Sequence, residues 1–560
     1  MTRFDPAAHA RAMRAGGFWP DRNFDEFLLA AVRATPDKPA LVADRADRPE
    51  PLRISYRELE DRVARAAAAL RALGLGVGDV VAVQLPNWWE FVVTSLACGR
   101  VGAVVNPLMP IFRERELGYM LGFAEAKLLV VPRLFRGFDH AAMASNLQPE
   151  LPRLRHVVVV DGDGADSFDR CLLGSAARLD AAPDAAASAL PADALAVLMF
   201  TSGTTGSPKG VMHTSNTLVA CNDALAGRFG LAADDVLLAC SPLGHMTGYA
   251  AVMMLGMRLG ATVVLQDIWE VQRGVALMAA EGVTYTAAST PFLADICNAV
   301  AGGAPPPRQL RSFLCGGAPI PPVLIERAAK ELHLKVCSLW GMTESLSSTL
   351  TEPARAADKS SRTDGRALDG VDVAVADDDG RRLPVGATGR LLVRGAQMFM
   401  GYYKRPDIAT FDADGWFDTG DLACMDDEGY IRINGRTKDV LIRGGENVPV
   451  VEIEGLLYKH PAVAAAAIVG YPDARLGERA CAFVVLKPGA GLTVVEVQTY
   501  MAECKVAKQY WPERVEVLAQ LPCTPSGKIQ KFRLRELIAV TAGARSAAGE
   551  NTKAARQILR

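Results

Sequence analysis

Apolar positions recur along the chain with two different periods. Ser55-Tyr56-Arg57-Glu58 forms a capping box, and Leu59, Val63, Ala66 and Leu70 follow at helical spacing until Gly74, which predicts a surface helix. Runs rich in β-branched residues follow at 80–85, 127–131 and 156–160, alternating with helical stretches, the rhythm of a mainly parallel α/β sheet. Residues 161–194, rich in Ala, Asp and Gly, read as a surface connection into an apolar strand over 195–200. The stretch 236–257 is long enough to span a membrane, but Pro242, Gly244, His245 and Gly248 interrupt it. It reads as a buried strand, a loop and a helix start.

Near Gly435-Arg436-Thr437-Lys438-Asp439 the pattern changes to that of an α+β unit of about a hundred residues. Its pieces are a helix over 449–458 stopped by Pro461, strands over 463–469 and 480–486, a helix capped by Thr493-Val494-Val495-Glu496, and a strand over 515–518. The chain thus divides into a large N-terminal α/β domain, 1–437, and a smaller α+β domain, 438–545. Its Ala-rich and basic end, 541–560, reads as frayed, with 546–560 assigned to a flexible tail. No internal repeat is visible.

Composition narrows the function. The 560 residues allow several domains and a sizeable core, and 50% hydrophobic with 22% charged is a soluble balance. Lys+Arg 61 against Asp+Glu 63 leaves a net charge of −2, no basic field for nucleic acid or anionic lipid. A small-molecule partner is expected. Eleven cysteines without a C-x-x-C pair spell neither a disulfide framework nor a zinc cage, and the N-terminus lacks the apolar core of a secretory signal. A cytoplasmic protein with no integral membrane segment is expected.

Thr201-Ser202-Gly203-Thr204-Thr205-Gly206-Ser207-Pro208-Lys209-Gly210 packs hydroxyls, glycines and a lysine into one loop after a buried strand. Glycines let backbone N–H groups approach phosphate oxygens, hydroxyls donate further, and Lys209 supplies a point charge, so the loop suits a polyphosphate. It is not a Walker A loop, because Pro208 precedes Lys209 and Val211-Met212-His213 continues as strand. An ordinary Ser/Thr/Gly turn is the bland alternative. Gly74-Leu75-Gly76-Val77-Gly78 misses the dinucleotide spacing and reads as a helix-ending loop. Pro522-Cys523-Thr524-Pro525-Ser526-Gly527-Lys528 is, by itself, only a turn with a lysine.

The Thr201–Gly210 loop, Trp340-Gly341-Met342-Thr343-Glu344, Thr419-Gly420-Asp421, Gly435-Arg436-Thr437-Lys438-Asp439 and Pro525-Ser526-Gly527-Lys528 occur in one order. That order resembles the adenylate-forming superfamily of acyl-CoA synthetases, luciferases and peptide-synthetase adenylation domains, over almost the whole chain. The resemblance implies two half-reactions: carboxylate and Mg-ATP give acyl-AMP and pyrophosphate, then the thiol of coenzyme A displaces AMP.

By resemblance, Thr201, Ser202, Gly203, Thr204, Thr205 and Lys209 bind phosphate, Asp421 binds the ribose, and Arg436 contacts ribose or phosphate. Thr343 and Glu344 hold the α-phosphate and Mg²⁺, a hard cation that prefers carboxylate oxygen and water. Lys528 is the implied catalytic cation. A carboxylate approaching the α-phosphate pays about 1 kcal/mol at 4 Å in water and about 4 at an effective dielectric of 20, and a cation between the two anions relieves this. Trp340 stands where the family usually has Tyr; its indole still offers a flat face to adenine. Gly316-Gly317-Ala318-Pro319 resembles the small-residue loop beside adenine and acyl group, and Gly341, within the Trp340–Glu344 motif, is by resemblance a nucleotide-binding position. Lys438 matches the family's hinge, and Gly444 and Gly445 the thiol tunnel.

Pro242-Leu243-Gly244-His245 resembles the acyl-CoA synthetase form of its region and lacks the Phe-Asp start of amino-acid adenylation domains. His245 reads as a lining or gating residue or a core histidine. Met246 and the uncharged run after it suit a compact apolar acyl pocket, as they suit ordinary core. Phe4-Asp5-Pro6, Trp19-Pro20-Asp21-Arg22 and Pro36-Asp37-Lys38-Pro39-Ala40 resemble ligases for cyclohexanecarboxylate and related medium-chain acids. Two alternatives stay open: loading of a carrier-protein thiol, and an adenine-nucleotide-binding regulatory protein that has lost catalysis. Oligomeric state is open as well, a homodimer being one option.

Overall fold

The computed structural model describes residues 4–174, 177, 191–201, 208–317, 320–408, 411–436, 441–443, 446–473, 476–504, 506–523 and 529–544. The capping box forms as the spacing predicts: Ser55 caps the helix Tyr56–Ala72, its hydroxyl accepting from the Glu58 N–H while the Glu58 carboxylate accepts from the Ser55 N–H. The glycine run after it closes that helix, with Gly74 and Gly78 in the left-handed region.

Two sheets form the larger part. The six-stranded sheet runs Lys209–Thr214, Leu195–Thr201, Val104–Pro107, Val80–Val83, Leu128–Pro132, His156–Val160, parallel except for its antiparallel first strand. The nine-stranded sheet has a parallel centre and antiparallel strands at both edges, Leu52–Ser55 at one and Leu346–Leu350 with Arg366–Ala367 at the other. Both sheets are covered on both faces, which is why their strands read as continuous apolar runs. Val81 and Val83 face a central core shared with Leu41, Ala43 and the helix Tyr56–Ala72, whereas Val80 and Ala82 face one outer helix layer and Val42 another. An antiparallel four-stranded sheet, Val371–Ala376, Gly389–Gly395, Phe417–Met425, Ile431–Arg436, follows.

The change of sheet falls between Arg436 and Leu441. From there Leu441–Arg443 pairs with Glu446–Val448 and with Gly477–Leu486, which also pairs with Val463–Asp473 and, in parallel, with Arg514–Val517. Alternate residues of Val463–Asp473 enter two cores. Ala466 and Ile468 pack with Ile453, Leu457, Val497 and Met501, while Ala467 and Val469 pack with Leu534, Leu537 and Ile538. The second core depends on a helix, Lys531–Ala544, that the pattern reading does not contain. It reaches into the stretch expected to fray, because Leu534, Leu537 and Ile538 are spaced along one helical face and cover the sheet. Residues 546–560 lie outside the described residues.

The uncharged stretch 236–257 resolves into the strand Val236–Ala239, a loop, a short helix at Met246–Gly248 and a π-helical segment, Tyr249–Met254, that the sequence did not announce. Among the described residues no helix is long and apolar enough to cross a membrane. All eleven cysteines are free thiols.

Candidate active site

The polyphosphate-type loop is pinned at its ends. Thr201, closing its strand, pairs with Lys209, opening the next, so the intervening residues bridge two adjacent antiparallel strands. Ser202, Gly203, Thr204 and Thr205 lie outside the described residues. The carbonyl of Pro208 accepts from the Tyr119 hydroxyl at 3.2 Å. On its other side the Lys209–Thr214 strand is lined by residues 400–403, through Met400 N–H to Met212 O at 2.9 Å and Tyr403 N–H to Gly210 O at 2.8 Å.

That pairing delivers Tyr402. The Lys209 ammonium stands 4.6 Å from the Tyr402 ring centroid, and the Tyr402 hydroxyl donates to Glu344 Oε1 at 2.8 Å. Burial and the neighbouring Glu344 charge push the Tyr402 phenol well above its usual range, so it stays a donor. Lys209 and Glu344, 135 positions apart in sequence, thus meet through one aromatic side chain.

Thr343 and Glu344 sit in the turn between the strands Lys335–Met342 and Leu346–Leu350. The turn is held from the Lys209 strand by His213, whose Nε2 is 2.7 Å from the Thr343 carbonyl and whose Nδ1 is 3.1 Å from the Thr217 hydroxyl. A carbonyl can only accept, so Nε2 carries the proton. Burial pushes the His213 pKa down from 6.5 to about 4. Below pH 6.5 an unfolded chain takes up this proton while the native one does not until about 4, so stability falls with pH across that window, by about 3 kcal/mol in all. His213→Gln is expected to melt at a lower temperature at pH 7.5 yet to lose Tm less steeply between pH 6.5 and 4. An undiminished slope in a thermal-melt series would exclude His213 as a source.

Trp340, Gly341 and Gly316 belong to adjacent strands, Gly316 pairing with Leu339. A Cβ on Gly316 would lie 2.8 Å from the Leu339 carbonyl oxygen, so glycine there permits the strands to approach. Gly317 follows with a φ of +83°. Ala318 lies outside the described residues. Trp340 reaches across to the four-stranded sheet, its Nε1 donating to Asp421 Oδ2 at 2.9 Å, and both residues are buried. Asp421 is the cross-strand partner of Arg436, whose side chain lies outside the described residues.

His245 caps the short helix Met246–Gly248, its Nδ1 accepting from the Thr247 N–H at 3.2 Å. The loop before it is clamped by buried Asn87, which donates to Ala239 O at 2.9 Å and Ser241 O at 3.0 Å and accepts from Leu243 N–H at 2.8 Å. Met246, Met253 and Met254 are buried in the central core. Lys438, Gly444, Gly445 and Lys528 lie outside the described residues. The structure therefore brings together Lys209 with Glu344, Trp340 with Asp421, and Thr343 with the strand of Lys209. Tyr402, His213 and Asn87 do the joining, and none of them is a site residue in the sequence analysis. Among the described residues no group of three His, Cys, Asp or Glu side chains could hold a metal ion. A single buried carboxylate, Glu344, fits Mg²⁺ carried in with a nucleotide, since such an ion keeps mostly phosphate oxygens and waters as ligands.

A doubly covered pair of sheets with a hydroxyl- and glycine-rich loop, an acidic turn and a buried Asp on a third sheet has the architecture of an adenylate-forming enzyme. The chain belongs to the AMP-binding enzyme family: the AMP-binding enzyme model matches residues 28–403, and the AMP-binding enzyme C-terminal domain model matches 452–528. It is 38% identical to the medium-chain fatty-acid–CoA ligase of Escherichia coli (strain K12), over 94% of this chain and 92% of that one. It is 36% identical to the salicyl-AMP ligase / salicyl-S-ArCP synthetase of Mycobacterium tuberculosis (strain ATCC 25618 / H37Rv), over 96% and 94%. The ATP-bound structure of MatB from Rhodopseudomonas palustris superposes with a TM-score of 0.79 at 29% identity, covering 92% of this chain and 99% of that one. The protein is an AMP-forming acyl-CoA synthetase, and use of ATP and CoA is typical of its family.

Proposed function

We propose that the acid is a compact, apolar, medium-size carboxylate such as cyclohexanecarboxylate. The observation that carries this is the 38% identity to a medium-chain fatty-acid–CoA ligase along nearly the whole of both chains. The absence of charge from Met246 to Met257 supports it. A second reading, an aryl acid passed to a carrier-protein thiol, draws on the 36% identity to a salicyl-AMP ligase / salicyl-S-ArCP synthetase. CoA-dependent AMP release measured over a panel of acetate, cyclohexanecarboxylate, octanoate, palmitate, salicylate and an amino acid separates them. A higher kcat/KM for palmitate, salicylate or the amino acid than for cyclohexanecarboxylate would overturn the proposal, and saturable dependence on free CoA is expected.

In this reading a carboxylate oxygen attacks the α-phosphorus, the bond to pyrophosphate breaks, and the thiol sulfur then attacks the acyl carbon as AMP leaves. Residues 201–209 hold the departing phosphates, Asp421 and Arg436 the ribose, and Thr343 the α-phosphate. Mg²⁺ would neutralise phosphate charge, with Glu344 as its protein ligand. The domain 438–545 turns about Lys438 between steps, withdrawing Lys528 and bringing Gly444 and Gly445 to the thiol path.

Tyr402 then orients Glu344. Tyr402→Phe keeps the ring under Lys209 and removes the hydroxyl, so the Mg²⁺ concentration for half-maximal pyrophosphate release should rise several-fold and adenylation should fall by about tenfold. Equal Mg²⁺ curves for variant and wild type would show that the hydroxyl does no orienting.

A further inference from the structure

The indole of Trp340 is more than a flat face. A tryptophan N–H is a donor and nothing else, and here it is spent on one oxygen of a buried carboxylate on a different sheet, 2.9 Å away. The backbone about that carboxylate is set independently: the Asp421 N–H donates to the Thr419 hydroxyl at 3.1 Å, and that hydroxyl donates to Leu391 O at 2.9 Å. The last side-chain torsion of an aspartate is intrinsically broad, and a fixed donor narrows it. A second acid, Asp364, is engaged elsewhere, accepting from the Ile433 N–H at 2.8 Å and facing Arg432 at 3.6 Å. A fixed donor on Asp421 therefore orients this carboxylate.

From this geometry we infer that Trp340 is a positioning residue for ribose recognition: its N–H fixes the Asp421 carboxylate so that it accepts from the vicinal hydroxyls of the nucleotide. The inference rests on the proposed role of Asp421. A phenol at position 340 would carry its hydroxyl beyond the end of the ring, whereas the indole presents N–H from the ring edge, so the Trp and the family's usual Tyr are not equivalent here.

The test compares the full-length wild type with Trp340→Phe, Trp340→His and Asp421→Asn. Binding of ATP, 2′-deoxyATP and 3′-deoxyATP is measured by calorimetry, with kcat and KM for ATP from pyrophosphate release. Phe keeps a flat face without a donor, and His keeps a ring N–H at the corresponding edge. The wild type should prefer ATP over both deoxy analogues, and Asp421→Asn should lose that preference. Trp340→Phe should weaken ATP binding about tenfold, raise KM with kcat within about threefold, and shrink the preference about tenfold, while Trp340→His retains the preference. A wild-type preference in Trp340→Phe, with the preference lost in Asp421→Asn, overturns the role of Trp340 and leaves that of Asp421 standing. No preference in the wild type, or an undiminished one in Asp421→Asn, overturns both. If Trp340→Phe does not fold, Trp340→His decides: a retained preference supports the inference and a lost one overturns it.

Discussion

Lys528→Ala is expected to slow acyl-AMP formation by about 10²-fold or more while leaving thioester formation from supplied acyl-AMP within a few-fold. The asymmetry follows from where charge accumulates. Only the first half-reaction drives a carboxylate onto a phosphate, and the attack must be stabilised by a cation close to both. In the second, a thiol attacks an acyl carbon already bearing AMP as a leaving group, and that lysine has no anion pair to relieve. Residues 524–528 are outside the described structure, but the base of their loop is closed by pairing between Cys523 and Ile529 and by the Gln530 N–H to Pro522 O contact at 2.8 Å. Removing the side chain should therefore leave the fold of the C-terminal part intact. Single-turnover assays of the two steps decide the matter: equal losses in both would reject the assignment.

What could be read from the sequence was local. The capping boxes at Ser55 and Thr493 each lie within four consecutive residues, and both helices start where these place them. The parallel strands announce themselves because both faces are covered, so every residue from Val80 to Val83 is apolar and buried. The helix Lys531–Ala544 carries Leu534, Leu537 and Ile538 at helical spacing between Arg533, Arg535 and Glu536, but three positions are too short a run to stand out before the sheet they cover is known. The π-helical turn at Tyr249–Met254 has no sequence signal of its own.

At the site the same division holds. Lys209, Glu344, Trp340 and Asp421 stand in recognisable motifs, but a motif carries no information about what joins it to another. Tyr402 reads as one of two tyrosines in Gly401-Tyr402-Tyr403, and only backbone pairing with the Lys209 strand shows that its hydroxyl meets Glu344. His213 reads as a strand residue; its tautomer depends on Thr343, 130 positions away, and its neutral state on burial. Asn87 lies in a loop far upstream of the segment it clamps. Long-range polar contacts of this kind are where sequence reasoning ends.

Gly341→Ala is expected to lower kcat/KM for acyl-AMP formation by about 10²-fold with the protein still folded. Gly341 lies at a register shift between the strands Lys335–Met342 and Leu346–Leu350. A Cβ there would run into the Leu346 carbonyl oxygen and stand 3.3 Å from Ser347 Cα, both backbone atoms that cannot swing aside. Leu346 already holds a φ of +51°, a costly conformation for a bulky side chain, so the turn has little freedom left to absorb the push. The strands must separate at the turn that carries Thr343 and Glu344, pulling one from His213 and the other from Tyr402. A displacement of about 1 Å of such groups suffices for a loss of this size. Gly227, in the helix Ser215–Phe229 with nothing near its missing Cβ, is the matched control, since alanine there should be neutral or stabilising by about 1 kcal/mol. Adenylation rates and melting temperatures of both variants test the argument, which fails if Gly341→Ala retains activity within about threefold of wild type.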